Sequence, residues 1–127
     1  IALPDNKGNI RRLSDLSGKV VMLDFHVFAG ENSTRRIMML RDLYNKYHAR
    51  GLEIYQISID PDEHFWKTQT EALPWISVRD DAGAQSPILA QYNVQSIPTF
   101  FLIGRDNTLK LRNTQIKDIN AAIQSLL

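Results

Sequence analysis

Residues 20–34 run Val20-Val21-Met22-Leu23-Asp24-Phe25-His26-Val27-Phe28-Ala29-Gly30-Glu31-Asn32-Ser33-Thr34. Val20 to Phe25 is an almost unbroken series of branched and aromatic side chains, the pattern of a strand covered on both faces. One acid, Asp24, interrupts it. Gly30-Glu31-Asn32-Ser33 then supplies loop and N-cap chemistry ahead of a long amphipathic segment. A buried strand running into a helix N-terminus is where α/β proteins gather chemistry. Unpaired N–H groups and the positive end of the helix dipole converge there.

Outward from this stretch, Ser33 to Arg50 carries helical periodicity. Ile37, Leu40, Tyr44 and Tyr47 form one stripe, widened by Met39 and Leu43, while Arg36, Arg41, Asn45, Lys46 and Arg50 are predicted to face water. Gly51 is a suitable stop. Leu52 to Ile59 reads as a second strand with one buried face. Asp60-Pro61 reads as the next helix start, with Asp60 as the cap and Pro61 in the first helical position, and Pro74 ends that helix after about Leu73. Trp75 to Val78 is a short strand, and Ser86-Pro87 opens a helix through Tyr92. Thr99 to Ile103 turns through Gly104-Arg105-Asp106-Asn107 into a returning strand, Thr108 to Arg112, and Gln115 to Leu127 forms a terminal amphipathic helix. Upstream, the turn-forming Leu3-Pro4-Asp5-Asn6-Lys7-Gly8 and the strand-like Asn9 to Leu13 predict an N-terminal hairpin at the sheet edge, with Arg11 and Arg12 blunting its exposed side. This order predicts a three-layer α/β/α fold with a mixed central sheet and helices on both faces.

The 127 residues are expected to form one domain, 1–127, and the opening in mid-pattern at Ile1 without a Met reads as an excised domain or mature fragment of a longer protein, from which an export signal or another domain has been removed. Fifteen basic residues against 14 acidic ones give a net charge of +1, too balanced for nucleic-acid binding by bulk electrostatics. No apolar run approaches the ~20 residues of a membrane span. The chain contains no cysteine, which excludes disulfides, thiolate catalysis and thiolate metal ligands within it. His26, His48 and His64 are scattered without ligand spacing, so neither a metal nor any other cofactor is expected.

Several strings, in this order, resemble the thioredoxin-like superfamily, in particular the TlpA/ResA-type thiol–disulfide oxidoreductases and the neighbouring AhpC/TSA-like domains. Leu16-Ser17-Gly18-Lys19-Val20-Val21-Met22-Leu23-Asp24-Phe25 resembles the family's first central strand. Ser58-Ile59-Asp60 with Phe65-Trp66-Lys67 resembles its second strand and helix. Tyr92-Asn93-Val94-Gln95-Ser96-Ile97-Pro98-Thr99-Phe100-Phe101-Leu102-Ile103 resembles the segment carrying its cis-proline, and Arg105-Asp106-Asn107 fits the hairpin that follows. The resemblance spans essentially the whole chain. Where the family carries Trp-Cys-x-x-Cys, this chain has Ala29-Gly30-Glu31-Asn32-Ser33, with Gly30 and Ser33 at the two cysteine positions. His26 replaces an expected aromatic residue, and Arg36 and Met38 stand at the family's acidic and proline positions one turn into the helix. So many departures together imply a natural, redox-inactive site.

No catalytic residue is therefore assigned. The resemblance implies a groove bounded by Ala29, Gly30, Glu31, Asn32 and Ser33 on one side and Ser96, Ile97 and Pro98 on the other, binding a polypeptide or partner protein by strand addition. His26 and Arg35 are expected on its rim, and Asp24 beneath it as a buried acid that is either a hydrogen-bonded remnant or a proton-linked group. Ser33 or Asn32 reads as the helix cap; as a nucleophile, Ser33 would need a base, and His26 is the nearest in sequence. A non-thiol enzyme or small-anion binder at the Gly30–Ser33 helix N-terminus, with Arg35 assisting, is one alternative, and a structural accessory domain another. Phe28 and Trp66 read either as partly exposed near loops or, at least as well, as core residues. The resemblance also implies a periplasmic or other extracytoplasmic location in a bacterium.

Overall fold

The apolar run forms the centre of the molecule. In a computed structural model describing residues 1–127, strand β3, Val20–His26, is buried along its whole length and pairs on both sides. The sheet to which it belongs has the order β5-β4-β3-β6-β7, with β4 at Leu52–Ser58, β5 at Ile76–Arg79, β6 at Thr99–Ile103 and β7 at Leu109–Arg112. β3, β4 and β5 are parallel, whereas β6 and β7 run antiparallel, giving the mixed sheet expected from the element order. The helices are α1, Ser33–Tyr47; α2, Glu63–Thr70; α3, Pro87–Gln91; and α4, Ile119–Leu126. A separate two-stranded sheet, β1 (Ala2–Pro4) with β2 (Ile10–Arg12), meets the β5 edge through one bridge between Asp5 and Val78.

Alternation along β3 divides the core. Val20 and Met22 join Leu52, Ile54 and Leu102 under α1, where Leu40, Leu43, Tyr44 and Tyr47 cover them together with Ile123 of α4. Val21, Leu23 and Phe25 face the opposite side with Tyr55, Ile57, Phe101 and Ile103, covered by Leu13 and, from α3, Ile88 and Leu89. Each such side chain contributes about 1.5–3 kcal/mol when removed from water. By the same alternation, Asp24 and His26 share the α1 face of the sheet.

Local signals placed several boundaries. Ser86 caps α3, its hydroxyl accepting from the Ile88 N–H, with Pro87 in the first turn. Gly51, at φ 112°, takes the left-handed conformation that stops the α1 segment after a short 3₁₀ turn. Asn107 closes the β6–β7 turn at φ 63°. Other expectations are corrected. β4 is buried on both faces because α1 and the N-terminal segments cover opposite sides. α2 starts at Glu63, capped by Asp62 accepting from the Phe65 N–H, rather than by Asp60. β5 begins at Ile76, one residue later than expected. α4 begins at Ile119 because Asp118 caps it through the Ala121 N–H. Of the two readings open for Phe28 and Trp66, the core one holds, at 6% and 2% exposure.

Candidate functional site

Two spacings meet at the C-terminal end of β3. Asp24 and His26 are two residues apart on a strand, so they project from the same face about 6–7 Å from each other. Ser33 and Arg36 are three apart on the first turn of α1, a rise of about 4.5 Å along the same helix face. Because α1 folds back over β3, the two pairs oppose each other. The Arg36 guanidinium pairs with Asp24 Oδ1, and His26 Nε2 lies 2.8 Å from Ser33 Oγ.

Asp24 is fully buried, and its second carboxylate oxygen accepts from Gln56 Nε2 at 3.0 Å. Gln56 in turn accepts from the Trp75 indole N–H at 2.9 Å. Arg36 is 14% exposed and lies over the Phe100 ring, 5.4 Å from its centroid. This corrects its expected position on the water-facing side of α1: an acid sealed inside a sheet requires a cation, and the first turn of α1 brings this one within reach.

Ser33 does not cap the helix. Asn32 occupies the N-cap position without a side-chain capping bond, and the Ser33 hydroxyl is engaged with His26. Removal of His26 from water holds its imidazole below the usual histidine range. The neighbouring carboxylate of Asp24 opposes that shift, Arg36 adds to it, and Asp60 opposes it. His26 is therefore neutral at neutral pH. Below its unfolded value near 6.5, the unfolded chain binds a proton that the folded chain does not, so stability falls with falling pH until the lower folded value is reached. Melting curves between neutral and mildly acidic pH are expected to show this slope in the protein and a smaller one in His26→Gln.

The segment between β3 and α1 is held from behind. Asp60 is 1% exposed and accepts from the Phe28 N–H at 2.9 Å and the Ala29 N–H at 3.1 Å, while its own backbone oxygen accepts from Arg79 Nε at 2.8 Å. Sequence reasoning assigned this acid to the wrong task; it clamps the loop that carries the site.

In front of the clamp lies a cavity of about 390 Å³. Gly30, Glu31, Asn32 and Ser33 line one side, Ile97 and Pro98 another, and His26 and Arg35 also contribute. Ala29 and Ser96, the remaining expected groove residues, flank it without lining it. Val27, Arg36 and Met39 were not anticipated as lining residues; Met39 follows from its position one turn after Arg35 on α1. The Ile97–Pro98 bond is cis. No cluster of three or more His, Asp or Glu residues is assembled for a metal, and no helix is long and apolar enough to cross a membrane.

The sequence profile described as "Thioredoxin-like" matches residues 18–109, from the turn before β3 to the start of β7. The thiol-disulfide oxidoreductase ResA of Geobacillus kaustophilus is 31% identical over 98% of this chain and 72% of its own length. A probable nucleoredoxin 2 of Oryza sativa is 32% identical over 74% of this chain, which spans only 25% of that longer protein. Among solved structures, the solution structure of a thioredoxin-like protein from Bacteroides vulgatus superposes with a TM-score of 0.93 at 52% identity, covering 99% of this chain and 83% of that one.

Proposed function

From a chain that belongs to the thioredoxin-like family, is related to its ResA-type thiol–disulfide oxidoreductases and yet holds no cysteine, we propose a binding module that takes an extended polypeptide into the former redox groove. Dithiol exchange needs a thiolate at the helix N-terminus and a second thiol to resolve the mixed disulfide. Gly30 offers no side chain there, and Ser33 offers a hydroxyl held by His26. What supports retained binding is Ile97: it lines the cavity, and neither its N–H nor its C=O has a hydrogen-bond partner within the chain. An unpaired donor and acceptor on one residue beside an open groove suit main-chain pairing with a peptide strand, with side-chain pockets giving selectivity. An extracytoplasmic location, implied by the family resemblance, belongs to the same proposal.

The test is selection from a displayed library of random linear peptides, followed by affinity measurement on the enriched sequences. Gly30→Trp fills the groove; the new Cβ meets the Val27 carbonyl oxygen at 3.0 Å, so the loop must yield slightly and melting is checked alongside. Binding is expected to weaken at least about tenfold in a variant that melts like the parent. Equal affinity, or no enriched peptide, contradicts the reading.

A further inference from the structure

The Ser33–His26 pair has a chemical consequence that polypeptide binding does not use. A serine hydroxyl is a weak nucleophile unless a base lies within hydrogen-bond reach, and the base must be neutral. His26 Nε2 lies 2.8 Å from Ser33 Oγ, both residues line the cavity, and burial keeps the imidazole uncharged at neutral pH. The backbone N–H groups of Thr34 and Arg35, the next two residues, donate to no acceptor within the chain. Free N–H donors beside a nucleophile stabilise an oxyanion formed on an attacked carbonyl. Val27, Met39, Ile97 and Pro98 add apolar wall to the same cavity.

We propose that Ser33 is a nucleophile with His26 as its general base, and that the cavity accepts a small carboxylic ester with an apolar acyl group. Ser33 Oγ forms a bond to the carbonyl carbon as its proton passes to His26 Nε2. The C–O bond to the alcohol then breaks, and the departing alkoxide takes that proton. Water, deprotonated by His26, displaces Ser33 Oγ from the acyl carbon, releasing the carboxylic acid and restoring the hydroxyl. No oxidant, metal or further reactant enters. This activity stands independently of polypeptide binding.

An alkyl fluorophosphonate is the probe, with intact mass and peptide mapping as the readout. Phosphonylation is expected on Ser33, absent in Ser33→Ala and slowed about 100-fold in His26→Gln. Hydrolysis of p-nitrophenyl butyrate above the buffer rate is expected to follow the same order. The parent's labelling rate needs no variant: it is expected to rise with pH as His26 loses its proton among Asp24, Arg36 and Asp60, then level off. An unmodified Ser33, labelling confined to other hydroxyls, an equal rate in a folded His26→Gln variant or a pH profile without a plateau overturns the inference. Peptide binding without Ser33 labelling overturns this inference alone, and labelling without peptide binding leaves it standing while the binding reading falls.

Discussion

Arg36→Ala is expected to destabilise the protein by about 3–5 kcal/mol, the usual cost of leaving one member of a buried ion pair without its partner. Asp24 is fully buried, and Gln56 would be its one remaining side-chain hydrogen-bond donor. Truncation also removes the packing of the guanidinium on Phe100. A denaturant titration should move the midpoint strongly while leaving the slope unchanged, since the surface exposed on unfolding hardly changes. The double replacement Asp24→Leu with Arg36→Met is expected to recover most of the loss, because exchanging both charges for apolar groups removes the desolvation cost together with the attraction. A single-variant cost below about 1 kcal/mol would mean that the pair is solvated, as surface pairs are.

Asp60→Ala ranks next. It strips the acceptor from the Phe28 and Ala29 N–H groups and from the Ser58 hydroxyl. Leaving such donors unsatisfied costs about 2–4 kcal/mol in total, less where water reaches Ala29. The effect should extend beyond stability, since this carboxylate fixes the loop between β3 and α1. Hydrogen exchange in residues 27–32 is expected to accelerate more than in β4 or β6. Asp60→Asn keeps one acceptor oxygen but turns an amide donor toward other donors, so it should recover only part of the loss. An unchanged loop in Asp60→Ala would show that the strand–helix junction is held by packing alone.

The two errors behind these predictions share a cause. Helical periodicity assigned Arg36 to water because its neighbours on that stripe are polar, and periodicity carries no information about a charge buried 12 residues earlier in the strand. Asp60-Pro61-Asp62 offers two acids before a helix. The choice between them depends on backbone N–H groups 31 and 32 residues upstream, brought near by β3–β4 pairing. What depended on local pattern was legible: the apolar run of β3, the stripe and glycine stop of α1, the Ser86-Pro87 start of α3 and the mixed sheet implied by their order. The groove could be outlined from the chain segments that bound it. Its internal contacts could not, because Ser33 has a sound capping reading in sequence and only the fold of α1 over β3 brings it against His26.

That same geometry bears on the chain's departure from its relatives. Asp24 beneath the groove is neutralised by Arg36, and Ser33 and His26 are hydrogen-bonded to each other beside it in a chain that has no thiol. The apolar cavity wall and the unpaired backbone of Ile97 lie in the same cavity.

The measurement that tests this most directly is amide hydrogen exchange at Ile97, followed by NMR with and without a saturating concentration of a peptide enriched from the displayed library. Strand addition predicts that the Ile97 N–H, unpaired in the free protein, becomes strongly protected when the peptide binds, with shifts confined to residues 26–36 and 95–98. A peptide that binds while Ile97 exchanges at its free rate would place the interaction elsewhere and contradict the groove.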